Sequence, residues 1–276
     1  MNAGGTSPCP QPLRSLLRLP QLPRNQPRWP PPLPSFQPPP PPTSKALEKS
    51  IVAAYRDQAL RVALNPSHRL HLLPLVPKNA RRVLDVGCHA GHILEALRLP
   101  DECQAFGCDT NVEALELAKT CLPNATFKYG AAEDLPFADS SFDFLFARGV
   151  VVNLDIPKAL SEFSRVLSLE GKLWLSLHRL HDCRVIWRDN SKNHPVKTVA
   201  FAVYTILNSG VFHYTGKFFR YPLNRQRAMT FQTEARMRKE LEKAGFGAIV
   251  FSRGAYLVVE AQKQKRAGIT KAGADS

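Results

Sequence analysis

Residues 83–94 read VLDVGCHAGHIL, and this stretch decides the fold. An apolar run surrounds Asp85, a glycine turn begins at Gly87, and apolar residues then recur at helical spacing. A strand, a tight turn and a helix in succession are typical of a nucleotide-binding unit of an α/β domain. His89 stands where such a turn usually has a glycine, so the other residues must indicate which ligand the turn binds.

The spacing of the glycines excludes the commonest nucleotide sites. A dinucleotide fingerprint needs glycines at positions 87, 89 and 92, and only Gly87 is present. Asp85 would also face the pyrophosphate that such a turn binds. The P-loop pattern G-x-x-x-x-G-K-[ST] does not occur in the chain. The pattern G-x-G-x-G fits better, because Gly87 and Gly91 satisfy it, and Asp85 would attract a ligand with an ammonium group.

Strand and helix patterns alternate along the rest of the chain. This alternation predicts parallel strands joined by crossover helices. Predicted strands cover 81–86, 103–108, 125–129, 142–147 and 172–178, and predicted helices cover 45–64, 90–99, 111–120, 156–167 and 232–244. The last two strands, 248–252 and 255–261, are separated only by Arg253-Gly254, which predicts an antiparallel hairpin. The expected fold is α/β, a doubly wound, mostly parallel seven-stranded sheet that ends in an antiparallel hairpin.

Composition divides the chain into segments. We predict a disordered Pro-rich tail at 1–44, an N-terminal helical segment at 45–79, the main domain at 80–261 and a disordered basic tail at 262–276. Residues 179–231 fit no strand–helix unit and are interpreted as an inserted basic cap. No apolar run approaches the ~20 residues that span a bilayer, and we expect a cytoplasmic location. An organellar location is the alternative, because the acid-free start of the chain also resembles a transit peptide.

The net charge of +14 is unevenly distributed. Residues 80–178 hold nine Lys/Arg against fourteen Asp/Glu, a net charge of −5, and residues 179–239 hold twelve against three, a net charge of +9. This excess favours an anionic partner for the basic part. Aromatic residues among the basic ones are typical of nucleic-acid grooves, and equally of lids over amphiphilic small substrates. The mostly apolar run at 200–212 favours a lid with a core-facing helix.

Further stretches point to one family. Asp109 ends the second predicted strand, 22 residues after Gly87. GAAEDLPFADSSFDFLFA covers 130–147, and PKALSEFSRVLSLEGKLWLS covers 157–176. Together with VLDVGCHAGHIL, these stretches resemble the class I S-adenosylmethionine-dependent methyltransferases, and most closely the type 11 branch. The resemblance covers roughly residues 80–178, and a sheet that ends in an antiparallel hairpin is a mark of the same family.

The resemblance implies S-adenosylmethionine as the cofactor, with Asp109 accepting both ribose hydroxyls. The cofactor-binding residues that it implies are Asp85, Gly87, His89, Gly91, Asp109, Thr110, Ala132, Glu133 and Arg148. Two departures stand out. His89 replaces the middle glycine, and we expect it to fit with a backbone that avoids a positive φ and an imidazole beside the methionine moiety. Ala131 replaces the aspartate that usually receives the adenine amino group, so this contact passes to Glu133 or Asp134 or is lost.

Methyl transfer itself requires mainly alignment, and a base is needed only for a hydroxyl or protonated-amine acceptor. His178, at the end of the fifth predicted strand, is the candidate catalytic base or substrate contact, with an ordinary strand-end histidine as the alternative. We expect no metal, because structural zinc needs four closely arranged ligands. The sets considered for a metal are Cys88, His89 and His92, and His178, His181, Asp182 and Cys183.

The leading functional hypothesis is methyl transfer to a small-molecule acceptor that is anionic or amphiphilic. The motif N-P-P-[YF], typical of amino-directed nucleic-acid methylation, is absent after the fourth predicted strand, where the chain reads ARGV at 147–150. A methyltransferase that binds RNA or another nucleic acid through the basic cap is the second hypothesis. A non-catalytic cofactor-binding module is the third, and the oligomeric state stays open.

Overall fold

The computed structural model describes residues 45–68, 70–191, 195–221 and 229–265. The predicted tail at 1–44 lies outside the described residues, and so do residues 266–276 of the predicted C-terminal tail.

Seven strands form one sheet in the order β3-β2-β1-β4-β5-β7-β6. Their bounds are β1 Arg82–Val86, β2 Gln104–Asp109, β3 Thr126–Tyr129, β4 Phe142–Ala147, β5 Leu167–Leu177, β6 Phe246–Arg253 and β7 Leu257–Lys263. The first five strands are parallel, whereas β7 runs antiparallel to both β5 and β6. The doubly wound sheet with an antiparallel end is therefore confirmed. The strand order reverses direction at β1, and open α/β sheets bind their ligands at this reversal.

The helices begin where the sequence offers caps. Their bounds are α1 Lys45–Leu64, α2 His92–Leu97, α3 Val112–Cys121, α4 Ile156–Val166, α5 Leu180–Ser191, α6 Pro195–Thr215 and α7 Glu234–Lys243, and a 3-10 helix spans Val151–Asn153. The side chains of Asn111, Asp155 and Thr233 accept hydrogen bonds from the first turns of α3, α4 and α7. Such caps satisfy amide groups that the helix itself leaves unpaired. None of the described helices is both long and apolar enough to cross a bilayer.

Apolar side chains cover the sheet on both faces. On one face, Leu84 and Leu145 of the central strands belong to a cluster with Leu160 of α4 and Met237 of α7. On the other face, the neighbouring strand residues join a cluster with α2 and α3, whose members include Val83, Phe144, Phe146, Leu94 and Leu115. Successive residues of a strand therefore pack into the cores on opposite faces of the sheet, because side chains alternate between the two faces along a strand.

Several boundaries differ from the sequence predictions. β5 begins at Leu167, not at 172, and its pairing with β4 shifts between Phe142 and Phe144. Residues 170–171 therefore form an irregularity inside the strand, where Glu170 has φ 65°. The terminal hairpin is connected by the three residues 254–256 rather than by two. β7 also continues to Lys263, past the domain end predicted at residue 261.

The cap segment 179–231 contains α5 and α6, whereas the sequence indicated a single helix-length apolar run. Val152 from the 3-10 helix, Cys183 of α5 and Met229 form a small buried cluster between the cap and the sheet domain. The amide of Thr230 also donates to the carbonyl of Val152 over 3.1 Å. The cap is therefore packed against the end of the sheet where β4 and β5 finish.

Candidate functional site

The turn after β1 requires glycine at its first position. Gly87 has φ 78°, and an added Cβ would lie 2.3 Å from Cγ1 of Val150. The amides of Gly87 and Cys88 donate to the carbonyl of Cys108 over 2.8 and 3.2 Å. The turn is thus fixed between the end of β2 and the segment after β4, so any larger residue at position 87 would displace Val150.

His89 adopts a left-handed backbone conformation, which was not expected from the sequence. Its φ is 48°, in the left-handed region, so the expectation of a backbone without a positive φ is wrong. The reason is the carboxylate of Asp109, whose Oδ2 accepts from the His89 amide over 2.7 Å and holds the turn in this form. Gly91, with φ 74°, follows as the residue before α2. The turn therefore keeps its glycine-like shape with an imidazole in the middle.

Asp109 links the turn to the end of β2. Besides the His89 amide on Oδ2, its Oδ1 accepts from the amide of Asn111 over 2.8 Å. These two bonds leave each carboxylate oxygen with a further lone pair for a ligand. The half-buried carboxylate is thus held in one orientation at the carboxyl end of the sheet.

Two neighbouring cavities meet at this position. The larger chamber has a volume of about 580 Å³ and is lined by Thr110, Ala132, Glu133 and Lys158, among others. The smaller chamber has a volume of about 320 Å³. Its lining includes Tyr55, Asp85, His89, His92, Arg148 and His178. Gly87, Asp109 and Val150 line both chambers, so the two are halves of one cleft.

The smaller chamber contains a carboxylate and a guanidinium with unused hydrogen-bonding capacity. Asp85 is only 2% exposed, and among the described residues its Oδ2 has no hydrogen-bond partner. The pKa of Asp85 lies well above its usual range, first because burial disfavours the carboxylate and second because Asp109 is negative, while Arg148 opposes both effects. Arg148 donates from Nη2 to the carbonyl of Leu70 over 3.2 Å, and its buried Nε has no partner within the described part.

An aromatic wall from the N-terminal helix closes the smaller chamber. The ring of Tyr55 on α1 lies 4.7 Å from the ring of His89 and 6.1 Å from that of His92. Arg56, the next residue, is buried, donates from Nε to the carbonyl of Ala90 over 3.1 Å and forms an ion pair with Glu95. Burial lowers the pKa of His92 to about 3, with Arg148 adding to the effect. This wall therefore consists of neutral rings.

His178 follows the end of β5 and lines the smaller chamber. Burial lowers its pKa, and Asp182 partly offsets the effect, so the imidazole is neutral at pH 7. Its Nδ1 is buried and finds no partner among the described residues. Close by, Ser176 accepts from the amide of Gly149 over 2.8 Å, which fixes the ends of β4 and β5 beside each other.

The larger chamber is bounded by the loop after β3 and by the cap. Glu133 accepts from the amide of Asp155 through Oε1 over 2.8 Å, so one of its oxygens is already engaged. Asp134 donates its amide to the carbonyl of Ala131 in a tight turn. Phe218 and Arg220 of the cap segment line the same chamber, opposite the end of β2. The chamber is therefore enclosed by both the sheet domain and the cap.

Of the nine predicted cofactor residues, eight line this cleft. Gly87, Asp109, Thr110, Ala132 and Glu133 line the larger chamber, and Asp85, His89 and Arg148 line the smaller one. Gly91 lines neither and acts on the shape of the turn alone. Tyr55 and His92 were missed, because a helical pattern does not reveal which side chain reaches a ligand. In the described residues, no group of three or more His, Cys, Asp or Glu side chains is arranged to bind a metal.

Comparisons with known proteins agree with this geometry. Residues 84–175 match a family model described as "Methyltransferase domain". The uncharacterized methyltransferase YcgJ of Bacillus subtilis is 35% identical over 119 residues, which cover 41% of this chain and 46% of the relative. The demethylmenaquinone methyltransferase of Chlorobaculum parvum is 34% identical over 91 residues, covering 33% and 38%. The chain thus spans less than half the length of these curated relatives.

Two further proteins are similar at lower coverage or identity. The ubiquinone/menaquinone biosynthesis C-methyltransferase UbiE of Campylobacter jejuni is 31% identical over 109 residues, covering 37% of this chain and 46% of the relative. A chain in the solved complex between the Haloferax volcanii Trm112 methyltransferase activator and the putative methyltransferase is 16% identical, with a TM-score of 0.50, covering 79% of this chain and 97% of that one. At this identity the structural likeness shows the fold alone.

Proposed function

Because residues 84–175 belong to the type 11 branch of the class I S-adenosylmethionine-dependent methyltransferases, we propose that the chain transfers a methyl group from S-adenosylmethionine to a small, anionic or amphiphilic acceptor. The observation that carries the proposal is the smaller chamber. It contains the Asp85 carboxylate and the Arg148 guanidinium, each with an unpartnered buried atom within the described part. An amino acid carries one ammonium and one carboxylate, which are the charges that complement this pair.

The residues of the cleft fit S-adenosylmethionine in three parts. We assign the methionine end to the smaller chamber, with Asp85, Arg148 and the imidazole of His89 around it. Asp109, at the junction of the chambers, would accept the ribose hydroxyls with its remaining lone pairs. Thr110, Ala132 and Glu133 would enclose the adenine.

S-adenosylmethionine, when bound, supplies a methyl group on a positively charged sulfur that an acceptor atom can attack. The contribution of the chain is then alignment and the exclusion of water. His178 is proposed to contact the acceptor, and to accept its proton where the acceptor atom is a hydroxyl or a protonated amine. The buried, unpartnered Nδ1 and the lowered pKa of His178 support this role, because both leave a neutral imidazole available.

An amphiphilic acceptor is supported by the cap side of the cleft. Phe218 offers an apolar surface there, and Lys158 and Arg220 bring positive charge to the same chamber. Two of the relatives are named as quinone methyltransferases, one for demethylmenaquinone and one for ubiquinone/menaquinone biosynthesis. The basic residues of the cap would attract a carboxylate or phosphate group on the acceptor. The cytoplasmic location stays a prediction.

The deciding experiment is transfer of a labelled methyl group from S-adenosylmethionine to a cell extract separated into RNA, lipid and small polar fractions. We expect label in the lipid or small-molecule fraction with the wild-type chain and strongly reduced label with Asp109→Asn. Glu113→Gln is the matched control, because Glu113 is an exposed carboxylate on the adjacent helix α3. Label in RNA would support the nucleic-acid hypothesis instead. Binding of S-adenosylmethionine without transfer to any fraction would support the non-catalytic module.

A further inference from the structure

Helix α6 buries polar side chains and exposes apolar ones, which is the reverse of an ordinary surface helix. Its buried positions include four polar residues, Thr198, Thr205, Asn208 and Ser209, together with Phe212. Most of its exposed positions are apolar, with Val196 80%, Leu207 66% and Tyr214 83% accessible. Val199, Val203 and Ile206 are exposed as well. We call Val196, Val199, Val203, Ile206, Leu207 and Tyr214 the α6 stripe.

Helical geometry makes the stripe continuous. Residues three, four and seven positions apart share a face of a helix. Val196, Val199, Val203, Leu207 and Tyr214 are related by these spacings, so they form one row along most of the helix. An apolar row of this length on a surface marks an interaction site, whereas scattered exposed apolar residues are ordinary.

Hydrogen bonds on the buried side fix this orientation of the helix. Asn208 donates from Nδ2 to the carbonyl of Met229 over 3.1 Å and accepts from the amide of Phe219 over 2.6 Å. Ser209 accepts from the amide of Phe231 over 2.9 Å. Rotating α6 to bury the stripe would break all three bonds and expose Phe212, which is 1% accessible. The outward position of the stripe is therefore built into the packing of the cap.

The charges along helix α6 and its C-terminal flank are of one sign. Residues 195–217 contain no Asp or Glu, and Lys197 and Lys217 stand exposed near the two ends of the helix. The body of the stripe is aliphatic, and aromatic side chains follow at its C-terminal end, where Tyr214 and Phe219 are exposed. An apolar row flanked by lysines, with aromatic residues at one end, is typical of helices that lie in the interface of a membrane.

We propose that the α6 stripe docks the chain on the surface of an anionic lipid bilayer, with the helix axis in the plane of the membrane. A second copy of the chain fits less well, because pairing two α6 helices would bring together two cap segments that are both strongly basic. The docking goes beyond the proposed methyl transfer and does not depend on it, since it requires neither cofactor nor acceptor.

Docking by the stripe would bring the cleft close to the lipid. The carbonyl of Phe219 accepts from the Tyr204 hydroxyl of α6, and its neighbours Phe218 and Arg220 line the larger chamber. The middle of α6 is thus joined to the cap side of this chamber. The lipid headgroups would lie beside that wall of the cleft.

The test is co-sedimentation of the full chain with vesicles, without S-adenosylmethionine. The vesicles are phosphatidylcholine alone and phosphatidylcholine with one third phosphatidylglycerol. We expect binding to the anionic vesicles that weakens with salt, and a loss of roughly tenfold or more in the partition coefficient with Val203→Gln plus Leu207→Gln. Leu75→Gln and Val250→Gln are the matched controls, because both residues are exposed aliphatics outside the cap. They should bind like the wild type.

Lys197→Gln plus Lys217→Gln tests the charge separately, and should reduce binding to the anionic vesicles while the stripe is intact. Thermal unfolding of each variant shows whether the fold is retained. Failure of the wild-type chain to bind vesicles, as expected if another protein or segment covers the stripe, overturns the proposal. So does undiminished binding by the folded stripe variant. A dimer in sedimentation equilibrium that the stripe variant dissociates would assign the face to self-association instead.

Discussion

His178 and Gln232 are hydrogen-bonded to each other twice, although 54 positions separate them in the chain. The His178 amide donates to Oε1 of Gln232 over 2.9 Å, and the Gln232 amide donates to the His178 carbonyl over 2.8 Å. The cap segment 179–231 therefore leaves the sheet domain and returns to it at a single point. A domain with such closely spaced ends tolerates the removal or exchange of the segment between them.

The first prediction uses this geometry to separate cofactor binding from turnover. Replacing residues 179–231 by a short Gly-Ser linker should keep the S-adenosylmethionine affinity within about tenfold and abolish methyl transfer, because the cap is assigned to the acceptor. Calorimetry and the labelled-methyl assay measure the two effects. Phe218→Ser is the milder companion if loss of the buried Phe212 unfolds the deletion variant. Turnover that survives the deletion would contradict the assignment of the cap.

The second prediction concerns Asp109. Asp109→Asn retains one side-chain oxygen that can accept from the turn, but it removes the negative charge and the second acceptor oxygen. S-adenosylmethionine should therefore bind roughly 10- to 100-fold more weakly. Asp109→Ala should also loosen the turn at His89, because the amides of His89 and Asn111 lose their acceptor. Calorimetry with Glu113→Gln as control measures this. Equal affinity in Asp109→Asn and wild type would remove Asp109 from the site.

The third prediction is that Asp85→Asn stabilises the free chain while it weakens cofactor binding. The raised pKa of Asp85 means that its contribution to stability is full below the usual value of 3.8 and is lost as the pH rises through the folded-state pKa. The amide should therefore raise the free energy of unfolding at pH 7 by roughly 1–3 kcal/mol. The gain should disappear near pH 4. Urea unfolding at the two pH values, with calorimetry for binding, checks both; a destabilised variant would contradict it.

The fourth prediction follows from the left-handed backbone of His89. Glycine at this position relieves strain of about 1–2 kcal/mol but adds a similar entropy to the unfolded chain, so His89→Gly should fold and bind nearly as the wild type does. His89→Val should lose about 1–3 kcal/mol, because a β-branched side chain is poorly tolerated at φ 48°. Thermal unfolding compares the two variants. Complete loss of binding in His89→Gly would give the imidazole a role of its own.

The fifth prediction concerns acid sensitivity. Burial lowers the pKa of His92 from 6.5 to about 3, so the unfolded chain binds a proton in that interval and the folded chain does not. Stability should therefore fall as the pH drops below 6.5, by up to about 1.4 kcal/mol per pH unit for this one histidine. His92→Gln should flatten the slope in pH-dependent urea unfolding. His181→Gln, at an exposed position, should leave it unchanged; an unchanged slope in His92→Gln would refute the assignment.

The strands and the turn could be predicted from sequence because local pattern determines them. β4 and α1 have the predicted bounds, and the hairpin follows from the shortness of its connection. The early start of β5 could not be predicted, because residues 167–171 enter the strand through pairing with β4, which is distant in sequence. The φ of His89 was missed for a similar reason: the carboxylate that holds it comes from the end of another strand.

The same distinction applies to the site. Asp85 and Gly87 could be found because they lie in or next to the turn, and Asp109 because the resemblance to the family implies it. Tyr55 carries no such signal, since it lies in a plain helical pattern more than thirty residues before the turn. The core-facing helix predicted at 200–212 is wrong, since α6 exposes Val203 and Leu207 and buries Asn208. An apolar run gives no indication that its polar residues are the buried ones.

Tyr55 is part of the wall of the smaller chamber, so its position limits how short a functional fragment of this protein can be. The family model matches residues 84–175, and the lining of the smaller chamber extends beyond this range on both sides. Tyr55 and Leu72 precede the range, and His178 and Tyr256 follow it. A fragment trimmed to residues 84–175 would also lack β7, and with it the neighbour of β5 in the sheet. The autonomous unit must therefore run from α1 to β7, and truncations within these limits should open the chamber to solvent.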